Sequence, residues 1–193
     1  MTPTDHHRPA DEPVPGEDSG AGGADAPDGD EIMDFWELAR GSAGLGRLAV
    51  VTGVGAQAGV APPAWAFGDS PRLADELLGL VLDGVKTAAS VSVAELEAAG
   101  EPVPSPGDLS IVLDGRGHPR ALLRTTAVRV VPFDEVDDEH AEREGEDDRT
   151  LASWRHEHER YFRRVLAELG QEFEPTMPVV LERFECRFPA PRR

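Results

Sequence analysis

Positive charge is scarce in this chain. Its 193 residues include 19 Lys or Arg against 37 Asp or Glu, a net charge of −18, and Lys86 is the single lysine. A broad basic face for long nucleic acid is therefore excluded, because such binding relies on Lys and Arg displacing phosphate counterions. A small pocket holding one or two cations is not. Cysteine is nearly absent as well. Cys186 stands alone, so no disulfide closes within the chain and no disulfide-linked partner is expected; in its apolar run it reads as a buried, inert thiol. No apolar run approaches the roughly 20 residues that span a bilayer, and the acidic N-terminus lacks the apolar stretch of a secretory signal. A cytoplasmic protein without a membrane partner is the expectation. P-loop, GxGxxG, GxSxG and zinc-ligand spacings are missing, so no cofactor and no metal are called for.

What is present divides unevenly. Residues 1–30 are rich in Pro, Gly, Ala and Asp with almost no large apolar side chain. Such a segment cannot bury enough surface to offset its ordering entropy, and it reads as a disordered acidic tail before a folded domain at 31–189. Glu31–Arg40 carries a short helical pattern, and Leu48–Val54 is a strand candidate. Ser70 and Pro71 open a clear amphipathic helix bearing Leu73, Leu77, Leu78 and Val81, and Gly84 is its expected left-handed stop. Val91–Ala99 suggests a short helix and Leu109–Leu113 a strand, followed by a turn at Asp114–Gly117 and a returning strand at Ala121–Phe133. Asp134–Asp148 reads as a helix and an acidic loop. Thr150 caps a further helix that Gly170 ends, and Val179–Phe188 closes as a strand. Several strands with a few helices, without strand–helix alternation, indicate an α+β fold with a mainly antiparallel, barrel-like sheet.

Four constellations could carry chemistry. Lys86, with Thr87 and Ser90 beside it, leaves the helix at a fixed point, where desolvation could make it a base or an anion ligand; the alternative is a solvated surface lysine. The acidic run around His140, Glu144 and Glu146 could hold one carboxylate for proton transfer, or could be a solvated loop. Arg124-Thr125-Thr126 lies on a strand, where the arginine could take phosphate or pair with Glu182, a carboxylate within an apolar row. Trp154-Arg155-His156-Glu157-His158 has its histidines two apart, poor spacing for a metal on a helix; Trp154 reads as core rather than as a base-stacking platform.

From about Phe35 to Phe188 the chain resembles the ASCH (ASC-1 homology) domain family of PUA-like β-barrels. The resemblance is carried by Trp65-Ala66-Phe67-Gly68-Asp69, Ala74-Asp75-Glu76-Leu77, Gly84-Val85-Lys86-Thr87-Ala88, Pro106-Gly107-Asp108, Arg124-Thr125-Thr126, Val131-Pro132-Phe133, Glu144-Gly145-Glu146 and Glu182-Arg183-Phe184. It implies a pocket for a nucleoside, a nucleotide or a short RNA, with Lys86, Arg124, Thr125, Asp69 and Trp154 as candidate ligand-binding residues. Some relatives look like RNA-binding or RNA-cleaving modules. Others are amidohydrolases that deacetylate N4-acetylcytidine with a lysine, a threonine three residues on, and a glutamate. Lys86 matches the lysine and Glu144 the glutamate, but Ala89 stands where the threonine belongs. Thr87 or Ser90 would have to supply the hydroxyl. A third function class, protein interaction through the acidic tail, makes no use of the pocket.

Overall fold

In a computed structural model, residues 28–45 and 60–191 are described. The expected strand at Leu48–Val54 and nearly all of the expected tail lie outside them. Asp28 caps a first helix, α1 (Gly29–Ser42), so the folded part begins slightly before residue 31. Strand β1 (Ala64–Trp65) precedes helix α2 (Pro71–Leu82), which leads to β2 (Ala88–Ser92) and α3 (Val93–Ala99). A hairpin of β3 (Leu109–Leu113) and β4 (Pro119–Pro132) follows, then α4 (Asp138–Glu144), α5 (Leu151–Glu168) and β5 (Pro178–Phe188).

The sheet runs β1-β3-β4-β5-β2, parallel at β1–β3 and antiparallel elsewhere. This is the α+β, PUA-like arrangement expected, but the sheet is open, with β1 and β2 as its edges among the described residues. Two-residue β1 offers too short a ladder to close it. Helix α2, which lies between the two edge strands in sequence, instead packs Leu77, Leu78 and Val81 against Val112, Leu123 and Phe184 of the sheet. The amphipathic α5 contributes Trp154, Phe162 and Leu166 to a second apolar cluster with Val179 and Leu181, while α1 lays Trp36 and Ala39 on Ile111 and Leu122.

Two helix ends fix the site. Ser70 caps α2 through the Leu73 amide, as its sequence suggests. At the other end Gly84 takes φ +70°, with the Val85 amide on the Leu80 carbonyl and the Gly84 amide on the Val81 carbonyl. These two bonds are the paired closure of a glycine-stopped helix and deliver Lys86 in a set direction. The expected helix at Val91–Ala99 begins two residues later, because Ser92 and Glu95 form a reciprocal capping box and leave Ala88–Ser92 to pair with β5.

Candidate functional site

Glu144 is the hub of the site. It ends α4, its side chain is 2% exposed, and five groups from β2, α4, α5 and the loop before β2 converge on it. Its Oε1 accepts from the Ser90 hydroxyl at 2.6 Å, from the Trp154 indole at 2.8 Å and from His140 Nε2 at 3.0 Å. Its Oε2 faces Lys86 Nζ at 3.2 Å and His158 Nε2 at 3.5 Å. Lys86, 2% exposed, donates also to Glu146 and lies 5.3 Å from the centre of the Phe67 ring. A buried ammonium between two carboxylates is tolerable only because its charge is met on the spot.

Local sequence explains the convergence. His140 and Glu144 are four apart on α4, and Trp154 and His158 are four apart on α5, so each pair shares a helix face. Gly145 takes φ +72°, and the loop beyond it winds tightly, with Asp147 and Arg149 also at positive φ. A Cβ at Gly145 would lie 2.8 Å from the Val85 carbonyl oxygen, so only glycine lets this loop press against the residue before Lys86 and bring Glu144 and Glu146 to it. The Thr87 amide donates to the Arg143 carbonyl at 2.8 Å and the Phe184 amide to the Thr87 carbonyl at 3.0 Å, which ties α4, β2 and β5 together at this point.

Ionisation follows from these contacts. Burial works to lower the Lys86 pKa, but the charges of Glu144 and Glu146 and their hydrogen bonds outweigh it and hold the ammonium above its ordinary value. Burial likewise opposes ionisation of Glu144, yet the charges of Lys86 and His158 and the hydrogen bond from His140 hold its carboxyl well below the usual range. Burial works to lower the His158 pKa, but the charge and hydrogen bond of Glu144 outweigh it and raise it above its ordinary value. Its geometry agrees: Nδ1 sits 3.0 Å from the Trp154 carbonyl and Nε2 faces the Glu144 carboxylate at 3.5 Å, so both nitrogens meet acceptors. Lys86 is thus held as an ammonium between the two carboxylates. His140 Nε2 faces the carboxylate and the Ser90 oxygen, while its Nδ1 has no partner among the described residues.

Of the residues singled out from the sequence, Lys86, Ser90, Glu144 and Trp154 come together here. Thr87 lies beside them, with its hydroxyl on the Arg143 carbonyl at 3.3 Å. The others are held elsewhere. Arg124 is exposed and nearest Glu185 at 3.9 Å, Thr125 donates to Glu182 at 2.5 Å, and Asp69 pairs with Arg164. Glu182 therefore has a threonine, not an arginine, for a partner. Sequence reasoning named the run around His140, Glu144 and Glu146 as a candidate but gave no role in the site to His140, Glu146, His158 or Phe67. The i,i+4 pairing on two successive helices was the signal that could have found the histidines.

Trp154 stacks on His158 with ring centres 4.2 Å apart and on Phe133 at 5.2 Å. One edge of the cluster opens to a small hollow lined by Glu146, Asp147, Thr150, Trp154, Glu157 and His158. No group of three or more metal-ligating side chains is arranged for an ion among the described residues, and none of their helices is long and apolar enough to cross a membrane.

A lysine and a carboxylate from distant parts of the chain, locked together at the end of a glycine-stopped helix beside an open five-stranded sheet, can be compared with known proteins. The profile of the ASCH domain matches residues 63–187, which include all of the cluster, and the chain belongs to the ASCH domain family. A crystal structure of an Enterococcus faecalis V583 protein, assigned to the DUF984 family, is similar at 30% identity and TM-score 0.68, over 82% of this chain and 91% of that one. An ASCH domain from Lactobacillus crispatus JV V101 is similar at 27% identity and TM-score 0.64, over 78% and 94%. No curated protein matches the chain.

Proposed function

We propose that residues 31–189 form a ligand-binding ASCH domain that takes an uncharged nucleoside against the hollow beside Trp154 and His158. The carrying observation is the charge balance of the cluster. Lys86 and His158 are matched by Glu144 and Glu146, so the site offers hydrogen-bonding groups and an aromatic edge without a cation left over for phosphate. Glu146, Asp147 and Glu157 on the rim add negative charge that repels nucleotides and RNA. The enclosed part of the hollow is about the size of one water, so a nucleoside rests on its open side.

Calorimetric titration tests this reading with cytidine, its 5′-monophosphate and a short RNA, each at low and high salt. Cytidine should bind with little salt dependence and more tightly than either anionic ligand. RNA binding that exceeds cytidine binding and falls steeply with salt would favour the RNA-binding reading instead.

A second reading, deacylation of an N-acylated nucleoside, is favoured by one observation. A hydroxyl, that of Ser90, lies directly on the Glu144 carboxylate although residue 89 is alanine. Release of cytidine from N4-acetylcytidine is its test.

A further inference from the structure

We propose that the second half of β4 is a self-association edge, to which a second copy of this chain adds its own β4 antiparallel. β4 is 14 residues long, but β3 accompanies it only between Pro119 and Arg124. Just beyond, the Gly107 amide donates to the Thr125 carbonyl and the Thr125 amide to the Asp108 carbonyl, each at 2.9 Å. From Ala127 to Pro132 the strand has β5 on one side and, among the described residues, no strand on the other.

The phase of the ladder says which main-chain groups face that open side. The Phe133 amide donates to the Met177 carbonyl, and opposite residues of an antiparallel pair alternate between bonded and non-bonded. Counting back in steps of two, Val131 and Arg129 bond to Val179 and Leu181 of β5, whereas Val128 and Val130 turn amide and carbonyl outward. Val130 is 51% exposed. An open edge of this kind is a ready template for another strand.

Two features make its own copy the occupant. The edge is self-complementary. A two-fold axis at Arg129 sets Val128 opposite Val130 of the second copy and Val130 opposite its Val128, so each pair exchanges both of its N–H···O bonds and the valines meet on one face. The Arg129 side chains meet on the other face, but each is already held by Asp137 at 2.8 Å. Moving the axis to Val128 would draw the irregularity at Thr125–Ala127 into the ladder and lose bonds. Charge is also placed to match at both ends. β4 carries Arg120, Arg124 and Arg129 and no carboxylate, on a chain of net charge −18. Arg124 is exposed just before the edge, with Glu185 no closer than 3.9 Å. Asp134 and Glu135 are exposed just after it, and their carboxylates make no ion pair among the described residues. Antiparallel pairing lays the Asp134–Glu135 end of each copy beside the Arg124 end of the other. The contact is a few residues a side, so the dimer is weak and reversible. β5 lies between this edge and β2, which keeps the association apart from the Glu144 cluster.

Sedimentation velocity on the full chain, over a concentration series reaching roughly 1 mM, should show a monomer–dimer equilibrium. Val130→Pro removes an amide that the folded monomer leaves unused, and edge strands accept proline at such positions. It should raise the dissociation constant about tenfold or more, with the melting temperature near that of the parent. Arg124→Glu should also weaken the dimer, and Asp134→Arg added to that variant should restore it, a rescue that a folding defect would not give. Amide hydrogen exchange at Val128 and Val130 should slow as concentration rises, while that at Arg129 and Val131 stays as it is. A parent that remains monomeric throughout the series would overturn the proposal and leave the edge to a strand of another protein. A dimer that forms as readily in Val130→Pro, or without slowed exchange at Val128 and Val130, would overturn it by placing the contact elsewhere.

Discussion

Glu144 and Glu182 both sit among apolar side chains, and the protein treats them in opposite ways. Glu144 is sealed in but touched by a lysine, two histidines, an indole and a hydroxyl, and its carboxyl is held far on the ionised side. Glu182 is only partly buried, yet burial pushes its pKa up; Thr125 is the partner that opposes this, and the Asp108 charge adds to it. Depth of burial does not decide the ionisation of a carboxylate here. What decides it is whether donors and cations are aimed at the oxygens before water is removed. A charge sealed in with five partners is poised for chemistry; one left with a single hydroxyl is a weak spot on a sheet face.

Breaking the compensated side should have the largest effect. Lys86→Met keeps the side-chain volume but leaves Glu144 and Glu146 without their ammonium, and a buried pair broken from one side typically costs about 3–5 kcal/mol. Urea unfolding at neutral pH should show that loss. A midpoint within error of the parent would mean that the lysine is not integral to the cluster. Gly145→Ala comes next. It forces an alanine into a positive-φ conformation and against the Val85 carbonyl, which together cost roughly 1–3 kcal/mol. The same unfolding experiment should show it, with nucleoside binding weakened because the loop carries Glu146.

The pH dependence sharpens the contrast. Glu144, depressed in the folded state, contributes stability that is present above its ordinary value of 4.5 and lost as pH falls through its lowered pKa. Lys86 is raised, so its contribution is present below 10.5 and lost as pH rises through the higher folded value. His158, also raised, contributes below 6.5 and loses that contribution as pH climbs through its folded value. Unfolding measured across pH should therefore show a decline that sets in as pH rises from 6.5 and that His158→Gln abolishes. Glu182 runs the other way. The native state holds its proton more tightly than the unfolded chain, so stability falls as pH rises between 4.5 and the raised value. Glu182→Gln should consequently stabilise the protein at pH 7, by less than about 1 kcal/mol, and the gain should vanish below pH 4.5. A destabilised Glu182→Gln variant at pH 7 would show that the carboxylate is compensated after all.

Much of this architecture is written locally. Ser70, Pro71 and Gly84 bracket α2 and were legible because caps act within one turn. The Thr150 cap is legible for the same reason, and Leu109–Leu113 from an apolar run that ends at a turn. The boundary at Ser92 was not: the helical reading of Val91–Ala99 ran back across the strand end, and the capping box alone sets the start. Lys86, Ser90, Glu144 and Trp154 stood out as residue types, but their meeting depends on α4 and α5 folding over β2, a contact between residues 50 or more apart. The surface pairings of Arg124 with Glu185 and Asp69 with Arg164 are equally long-range choices among many charges, and nothing in the local sequence selects them. Glu182 illustrates the limit, since its alternation on β5 showed a carboxylate in an apolar row but not which residue of β4 would meet it.

The most direct measurement is the indole N–H region of the NMR spectrum during titration with cytidine and N4-acetylcytidine. The chain has three tryptophans, and the Trp154 indole donates to Glu144 whereas the buried Trp36 indole nitrogen has no partner among the described residues and lies in a different apolar cluster. Ligand at the Glu144 site should shift the Trp154 resonance and leave that of Trp36 in place. A Trp154 resonance that stays fixed at saturating nucleoside, while other signals move, would mean that the ligand binds elsewhere and that the Lys86–Glu144 cluster serves the fold alone.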